Sequence, residues 1–382
     1  MTAYRTSTTG SAPKSGSVIP GHASAESTRS FTSRFAPGFV DDFYRDLADL
    51  SVSSIGMGTY LGECDDIEDR RYEHLLAAGI ECGLNLIDTA INYRCQRSEQ
   101  AVGNAIREAV NSGLASRNEL VVCTKGGYVP LEKEPPASRD AYKAYLASEY
   151  FDRGIMTASD VVAGGHCLKP GFLSNQIDRS RANLGLDCID VFYIHNPEQQ
   201  LDVLSRTAFL QAMREAFAEL EANVASGKIG TYGCATWNGF RVFPANKSYL
   251  SLSELVAAAV DVGGKDHHFR IIQLPVNLAM TEAVRLPSQH DGTTNHSLVE
   301  IARQAGISVI ASAALMQSQL TRDLPPAARD LFPGLQTDAQ RAIAFVRSLP
   351  VASALVGMRS VEHLEENLGS VRVAGPAPAI RS

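Results

Sequence analysis

Hydrophobic positions along the chain fall into short, β-branched runs, and amphipathic helical stretches separate these runs. Such an alternation is typical of repeated β–α units that build a parallel sheet. It predicts eight strands, at residues 53–57, 85–89, 120–124, 189–194, 229–235, 271–275, 308–312 and 353–357. It also predicts helices, at residues 69–82, 98–112, 207–226 and 361–370, and Gly227 is a C-terminal cap signal for the third of them.

Eight strand–helix repeats predict a fold of the α/β class, a (β/α)8 TIM barrel. A doubly wound sheet is the alternative, and it would need a Gly-rich fingerprint directly after the first strand. The segment "GMGTYLGE" has three glycines at that point, but their spacing differs from that of the dinucleotide fingerprint. The barrel is therefore the preferred fold.

Some segments fall outside the repeat. Residues 1–30 are rich in Ser, Thr and Gly, lack the apolar centre of a secretory signal, and predict a flexible N-terminal tail. Residues 31–382 would then form a single barrel domain with two long insertions, at 126–170 and at 275–297. Long insertions after barrel strands fall over the active-site mouth, so we expect the 126–170 insert to lie there.

Composition narrows the choice of partners and location. The net charge of -7 is spread along the chain without a basic block, which argues against a nucleic-acid partner. No stretch approaches 18 uninterrupted apolar residues, so we expect no membrane span. Seven scattered cysteines without a Cys-x-x-Cys pair indicate reduced thiols and a cytoplasmic protein. Nothing in the sequence indicates the oligomeric state.

The stretch "GGHCLKP", at residues 164–170, is a candidate metal or thiol site because it contains His166 and Cys167. A metal site needs further ligands at suitable spacing, and the sequence offers none beside these two. We therefore interpret both as loop residues and predict no metal site.

Polar side chains follow the second, third and fourth predicted strands, near the point where each strand ends. They are Asp88, Tyr93, Lys125 and His195. In a parallel barrel these positions converge on one face, so the four groups should meet. There the ammonium of Lys125, held by Asp88, would lower the pKa of the Tyr93 phenol, and a histidine could orient a substrate oxygen. The set predicts a proton donor for a carbonyl group.

These residues are where the sequence resembles the aldo-keto reductases, over about residues 53–367. The family's Asp-Thr-Ala-x-x-Tyr motif matches "DTAINY", its Thr-Lys strand end matches "CTKGG", and its Asp-x-x-x-x-His-x-Pro pattern matches "DVFYIHNP". The resemblance implies a catalytic tetrad of Asp88, Tyr93, Lys125 and His195. It also implies NADP(H), held extended across the barrel top without a Rossmann fold, and a small carbonyl or alcohol substrate.

The same resemblance implies which segments would hold the cofactor. "GMGTY" would lie at the nicotinamide end, "GCATWNGF" and "IIQLPVN" would bind the carboxamide, "ASAALMQSQLT" would bind the pyrophosphate, and "VGMRSVEHLEENL" would surround the adenosine and its 2′-phosphate. The implied cofactor residues are Gly58, Thr59, Tyr60, Asp88, Thr236, Asn238, Gln273, Ser312, Leu315, Gln317, Ser318, Gly357, Met358, Arg359, His363, Glu366 and Asn367.

We therefore expect an NADP(H)-dependent oxidoreductase that interconverts a carbonyl and an alcohol by direct hydride transfer, with Tyr93 as the general acid or base. Some positions depart from the family pattern: Ser312 replaces a frequent aromatic residue, Ala235 replaces a usual serine, and extra residues, "RCQR", follow Tyr93. The Ser312 and Ala235 changes keep a redox-neutral lyase or epimerase open as an alternative. A module that senses the nucleotide and turns over little is the other alternative.

Overall fold

A closed barrel of eight parallel strands forms the centre of the molecule. The structure is a computed structural model that describes residues 18–132 and 134–372. Its strands in chain order are β1 (Tyr44–Leu47), β2 (Leu50–Ser53), β3 (Ile55–Gly58), β4 (Leu86–Asp88), β5 (Val121–Gly126), β6 (Ile189–His195), β7 (Ile229–Ala235), β8 (Phe269–Pro275), β9 (Gln289–His290), β10 (Asn295–His296), β11 (Ser308–Ser312) and β12 (Ser353–Gly357). Its α-helices in chain order are α1 (Ala25–Phe35), α2 (Asp66–Glu81), α3 (Arg97–Asn111), α4 (Arg139–Leu146), α5 (Pro170–Leu184), α6 (Arg206–Ala225), α7 (Leu252–Gly263), α8 (Glu282–Arg285), α9 (Leu298–Gln304), α10 (Pro326–Leu331), α11 (Asp338–Arg347) and α12 (Val361–Leu368).

Strands β3 to β8, β11 and β12 build the barrel, and each is hydrogen-bonded to the next in this series. Strand β12 pairs in parallel with β3, which closes the sheet. Helices alternate with these strands along the chain, so the predicted (β/α)8 fold is confirmed. Three of the predicted strands have the observed bounds, and the other five differ from the observed bounds by two residues or fewer at either end.

Local capping decides where two of the predicted helices begin or end. Helix α2 begins three residues before its predicted start because the Asp65 side chain accepts a hydrogen bond from the backbone N–H of Glu68. Helix α6 ends shortly before Gly227, whose φ of 73° lies in the left-handed region that glycine adopts without strain. The predicted cap signal at Gly227 is therefore confirmed. In the part of the chain that the structure describes, no helix has both the length and the apolar character needed to cross a bilayer.

The core consists of two apolar layers. The outer layer lies between the strands and the helices, and it includes Ile87, Phe192, Phe217 and Phe269. The inner layer contains residues from several barrel strands together with residues of the β1–β2 hairpin: Leu47, Val52, Val121, Val191, Ile271 and Ile310. Because β2 leads directly into β3, the hairpin lies at the N-terminal end of the barrel and closes it there. A ligand therefore has to enter from the other end, where the strands terminate.

Part of the segment predicted as a flexible N-terminal tail is folded, because residues 25–30 lie in helix α1. Helix α1 follows Ser24, whose side chain accepts a hydrogen bond from the backbone N–H of Ser27. Phe31 of this helix is fully buried in the outer layer. Few apolar residues mark the buried face of α1, so its Ser- and Thr-rich composition concealed it. Residues 1–17 of the predicted tail lie outside the described residues.

The 126–170 insert has a small apolar core of its own. That core packs against Phe172 of α5 and contains Val129, Leu146, Tyr150, Met156 and Cys167. The two ends of the insert run side by side, because Cys167 donates its backbone N–H to the carbonyl of Gly127 (2.8 Å) and Val129 donates to that of Gly165 (2.7 Å). The return of the chain brings the 164–170 stretch back to the end of β5.

A buried ion pair stabilises the N-terminal end of the barrel. Asp190, near the start of β6, accepts a hydrogen bond from the Arg117 guanidinium at 2.9 Å and another from the backbone N–H of Val122 at 2.7 Å. The second carboxylate oxygen of Asp190 accepts the backbone N–H of Ala23 at 2.6 Å, which ties the N-terminal segment to the barrel. Arg117 also donates to the carbonyl oxygens of Leu120 and Cys188. Every contact of this carboxylate is therefore inside the protein.

The substitution Arg117→Met should lower the free energy of unfolding by roughly 3–5 kcal/mol, because it leaves the Asp190 carboxylate buried without its cation. Urea unfolding followed by circular dichroism measures this loss. Arg181→Met is the matched control, since Arg181 pairs with Asp178 and Asp187 at the surface and should cost no more than about 1 kcal/mol. Equal losses in the two variants would contradict the assigned role of the buried pair.

Candidate active site

A cavity of about 580 Å3 opens at the C-terminal end of the barrel. Asp88, Tyr93 and His195, three of the four candidate catalytic residues, line it. Lys125 lies behind them, with 1% of its surface exposed. A larger, shallow cavity of about 730 Å3 lies elsewhere, between residues 201–206 and 244–254, and none of the candidate catalytic residues lines it. The four predicted groups therefore meet in one place.

Lys125 and Asp88 form a buried ion pair at the base of the cavity. The ammonium also donates a hydrogen bond to the backbone carbonyl of Thr89 at 2.9 Å. The other carboxylate oxygen of Asp88 accepts a hydrogen bond from the side-chain amide of Gln273 at 2.8 Å. The ion pair joins the adjacent strands β4 and β5, and the Gln273 hydrogen bond comes from β8, which is not their neighbour in the sheet. Each buried charge has its partner and a further hydrogen bond, as charges removed from water require.

Tyr93 lies directly against this ion pair. The Lys125 ammonium is 4.9 Å from the centre of its ring. Burial raises the pKa of the Tyr93 phenol, and the positive charge of Lys125 only partly opposes that effect. The expected net lowering of this pKa was therefore wrong, because desolvation outweighs the neighbouring charge. Tyr93 is a protonated phenol at neutral pH.

His195, the last residue of β6, faces Tyr93 with 6.0 Å between the ring centres. Burial, with a smaller effect of the Lys125 charge, holds the pKa of His195 well below its usual range. The imidazole is therefore neutral at physiological pH and can donate one hydrogen bond and accept another. Its Nδ1 is buried and has no hydrogen-bond partner among the described residues. Such a ring suits the orientation of a neutral carbonyl oxygen.

His166, interpreted from the sequence as a loop residue, supports His195 from behind. Its Nε2 lies 2.7 Å from the backbone carbonyl oxygen of His195, and its Nδ1 lies 2.9 Å from the side-chain amide nitrogen of Gln200. A carbonyl oxygen can only accept, so Nε2 carries the proton and Nδ1 accepts from Gln200. The approach is close: a Cβ on Gly127 would lie 3.0 Å from Nε2 and 3.1 Å from the His195 oxygen. His166 is thus a positioning residue contributed by the insert.

Glu198 holds the loop that follows β7. One oxygen of its buried carboxylate accepts backbone N–H groups from Trp237 (2.9 Å), Asn238 (3.0 Å) and Gly239 (3.2 Å). Burial raises the pKa of Glu198, and these hydrogen bonds oppose the rise because they favour the carboxylate. Sequence reasoning missed Glu198: it is the third residue after His195, and nothing in the sequence indicated that its carboxylate binds the backbone of the loop after β7. It keeps Trp237 at the rim of the cavity, where it lines the wall.

The "RCQR" segment after Tyr93 forms an unusual left-handed turn. Arg94, Cys95 and Gln96 have φ values of 48°, 53° and 72°. Residues other than glycine take this conformation at a cost of roughly 1–2 kcal/mol each, so other contacts must hold it. The buried Arg94 guanidinium donates to the backbone carbonyl of Glu63 at 2.8 Å and to the carboxylate of Asp69 at 2.6 Å. The extra residues therefore anchor Tyr93 to the loop that follows β3.

Most of the residues implied for the cofactor line the same cavity. They are Gly58, Thr59, Tyr60, Asp88, Thr236, Gln273, Ser312, Leu315, Gln317, Ser318 and Gly357. The Thr236 hydroxyl is buried without a hydrogen-bond partner in the described part of the chain, and its backbone N–H donates to the carbonyl of Gln273. An unsatisfied hydroxyl beside amide groups fits a carboxamide ligand, so the nicotinamide end of a dinucleotide suits these residues. The side chain of Gln273, however, is already engaged with Asp88.

Six implied cofactor residues do not line this cavity: Asn238, Met358, Arg359, His363, Glu366 and Asn367. Asn238 is exposed, and the side chain of Met358 packs into the outer apolar layer. Arg359 is half-exposed and pairs with the buried carboxylate of Glu68 at 3.2 Å, which Arg71 also contacts. This end of the implied cofactor site therefore presents cations already held by an acid.

The sequence did not identify several other residues that line the cavity. They are Leu61, Asn92, Tyr128, Asn196 and Met280. Tyr128 and Asn196 follow the ends of β5 and β6, and the Asn196 amide donates to the Tyr128 hydroxyl at 2.9 Å. The one sequence feature that could have identified Tyr128 and Asn196 as site residues is their position shortly after the end of a barrel strand. Tyr128 is also the single described residue of the 126–170 insert that lines this cavity, so the insert reaches the site through its first residues.

Comparison with known proteins shows a match to one family model and similarity to a named enzyme. A model of the Aldo/keto reductase family matches residues 54–375. A protein named NADH-specific methylglyoxal reductase, from Escherichia coli (strain K12), is 25% identical over 291 residues, which are 75% of this chain and 70% of that protein.

Solved structures with this fold include further proteins of the same description. An aldo/keto reductase from Klebsiella pneumoniae, in complex with NADP and acetate, superposes with a TM-score of 0.57 at 20% identity, covering 87% of this chain and 90% of its own. The holo form of the aldo-keto reductase AKR11C1 from Bacillus halodurans gives a TM-score of 0.57 at 17% identity, covering 88% and 92%. At these identities the likeness supports the fold.

Burial lowers the pKa of His166 to about 4, whereas an unfolded histidine titrates near 6.5. Above about pH 6.5 both states are neutral and the full stability is present. As the pH falls from 6.5 towards 4, His166 becomes protonated in the unfolded chain but stays neutral in the folded protein. The free energy of unfolding therefore falls by about 3 kcal/mol. We predict that His166→Gln, which keeps an amide N–H for the His195 carbonyl, loses this part of the acid destabilisation.

Urea unfolding at pH 7 and at pH 4.5, on the wild type and the variant, measures the difference. His74→Gln is the control, since His74 is exposed on α2 and should leave the pH dependence unchanged. A His166→Gln variant as acid-sensitive as the wild type would show that His166 is not buried as a neutral ring.

Proposed function

The chain belongs to the aldo/keto reductase family, and we propose that it reduces a small aldehyde or ketone to the alcohol with NADPH, using Tyr93 as the proton donor. The observation that carries this proposal is the contact of Tyr93 with the buried Lys125–Asp88 pair at the cavity base. A phenol kept protonated by burial, with a cation beside it, is an acid for a carbonyl oxygen that gains negative charge.

Each residue of the site then has a distinct task. Tyr93 donates its hydroxyl proton to the carbonyl oxygen during reduction. The fixed charge of Lys125 stabilises the phenolate that remains, and Asp88 holds the ammonium in place. The neutral ring of His195 orients the substrate oxygen, and His166 sets the position of the His195 backbone. When bound, the nicotinamide supplies the hydride, which is the redox chemistry that no side chain of the site can provide.

The choice between the two nucleotides depends on the adenosine end of the proposed site. Arg359 is half-exposed there, and Arg71 contacts the same Glu68 carboxylate. A 2′-phosphate could take the place of Glu68 as the partner of these cations, so we propose a preference for NADPH. The Escherichia coli relative is named an NADH-specific reductase, so the preference proposed for this chain differs from the one in that name.

The substitution Tyr93→Phe removes one oxygen and keeps the ring, so the fold should be retained. We expect turnover to fall by about 10²–10⁴-fold, the usual contribution of a positioned acid, while nucleotide affinity changes little. Single-turnover NADPH oxidation with a panel of aldehydes, ketones and quinones measures this. Tyr142→Phe, which removes the same atom from a tyrosine outside the cavity, is the control.

Should the wild type consume NADPH no faster than Tyr93→Phe with every carbonyl, the reductase proposal fails. A redox-neutral lyase or epimerase, or a sensor of the nucleotide, would then take its place. Neither alternative consumes NADPH with a carbonyl, so this one measurement separates the reductase from both.

The substitution Arg359→Ala should weaken NADPH binding by roughly 1.5–3 kcal/mol, about 10- to 150-fold, because it removes a charge-assisted hydrogen bond to the 2′-phosphate. NADH lacks that phosphate and should bind unchanged. Fluorescence titration of both nucleotides measures the two affinities, with Arg303→Ala, an exposed arginine on α9, as the control. Equal affinity of the wild type for NADPH and NADH would count against the proposed preference.

A further inference from the structure

Two cysteines that are distant in the sequence meet beside the candidate active site. The sulfur of Cys64 lies 3.6 Å from that of Cys95, across 31 residues of chain. All seven cysteines are free thiols, and this is the one thiol–thiol contact within the part of the chain that the structure describes. Cys64 is partly exposed and Cys95 is buried. The sequence could not reveal the pair, because no Cys-x-x-Cys spacing marks it.

The pair joins the two loops that carry aromatic residues into the cavity. Cys95 is the second residue after Tyr93, and Cys64 is the fourth after Tyr60. The rings of Tyr60 and Tyr93 are in edge-on contact, with 5.0 Å between their centres. Next to the thiols, Arg94 already holds the two loops together through the carbonyl of Glu63. A bond between the sulfurs would therefore act directly on the position of Tyr93.

We propose that Cys64 and Cys95 form an oxidation-sensitive thiol pair, which hydroperoxides convert into an intrachain disulfide that lowers turnover at Tyr93. The loss of turnover rests on the proposed reductase function, whereas formation of the disulfide does not.

The chemistry needs a hydroperoxide and no further reactant. The Cys64 thiolate attacks the peroxide, the O–O bond breaks, and a sulfenic acid forms with release of hydroxide, or of an alkoxide from an organic peroxide. The Cys95 sulfur then attacks the sulfenic sulfur, an S–S bond forms, and water leaves. With hydrogen peroxide, two thiols lose two electrons and two protons, and the peroxide becomes two waters. A dithiol reductant reverses the step by thiol–disulfide exchange.

The environment assigns the order of the two thiols. Cys64 reaches solvent and can meet the oxidant first, whereas burial, together with the neighbouring Cys64, raises the pKa of Cys95 to about 12. Cys95 is therefore protonated and a poor first target for the oxidant, and its thiol proton leaves with the sulfenic hydroxyl as water when the S–S bond forms. The oxidised Cys64 then lies within contact distance, so Cys95 is suited to be the resolving thiol.

We expect closure of the bond to displace the two loops. A disulfide is about 2.05 Å long, so the two sulfurs must approach each other by roughly 1.5 Å from their 3.6 Å separation. Cys95 lies in the left-handed turn, where the backbone has few other conformations in which to absorb the shift. A displacement of about 1 Å at a catalytic group can cost up to about 100-fold in rate.

The test uses the purified full chain, reduced and then treated with a graded series of hydrogen peroxide. Free thiols are blocked with N-ethylmaleimide, and unreduced peptides are identified by mass spectrometry. We expect a cross-linked Cys64–Cys95 peptide and a loss of NADPH-dependent turnover of roughly 10- to 100-fold. Dithiothreitol should restore both. Cys64→Ser and Cys95→Ser should form no cross-link and resist the same dose, and Cys64→Ser should keep the untreated turnover.

Several results would overturn the proposal. These are oxidation of Cys64 to the sulfinic acid without a cross-link, a complete cross-link without loss of turnover, or equal inactivation of the wild type and Cys64→Ser. Because Cys95 is buried, Cys95→Ser could misfold. In that case, the comparison of peroxide resistance between the wild type and Cys64→Ser decides the matter. If the untreated wild type reduces no carbonyl, the proposed function fails, and the cross-linked peptide still decides whether the pair oxidises.

Discussion

The buried ion pair of Lys125 and Asp88 is the interaction on which the candidate site depends. Two charges removed from water are stable only when they meet each other and their remaining donors and acceptors find partners. The carbonyl of Thr89 and the amide of Gln273 supply those partners, and β8 lies far from β4 in sequence. The pair itself joins the adjacent strands β4 and β5, whereas the Gln273 hydrogen bond reaches Asp88 from β8, so the carboxylate has all its partners only in the completed barrel.

Tyr93 shows how two opposing effects are balanced around that pair. Burial favours the neutral phenol, and the adjacent ammonium favours the phenolate. Burial is the stronger effect in the protein alone, so the phenol is protonated before any reaction begins. The same ammonium stabilises the phenolate that would be left after donation. With the ammonium alone, the phenolate would be favoured before the reaction. With burial alone, nothing would stabilise the phenolate left after the proton is donated.

Three buried polar side chains hold the loops around the candidate site in place. His166 fixes the end of β6, Glu198 fixes the loop after β7, and Arg94 joins the turn after Tyr93 to the loop after β3. None of these three was recognised in the sequence as part of the site. Each acts through backbone groups of a segment distant in the sequence, and a backbone partner leaves no trace in the sequence. The meeting of Cys64 with Cys95 belongs to the same set of loop contacts.

The sequence by itself determined the barrel, the order of its strands and the identity of the four groups at its mouth. These features were predictable because hydrophobic periodicity and strand-end motifs are local patterns, and a parallel barrel brings all strand ends to one face. The tertiary structure alone decided the protonation of Tyr93, the support of His195 by His166 and the ordered helix α1. The physical reason is that burial and hydrogen-bond partners depend on segments that meet only after folding, and neither charge nor spacing along the chain records them.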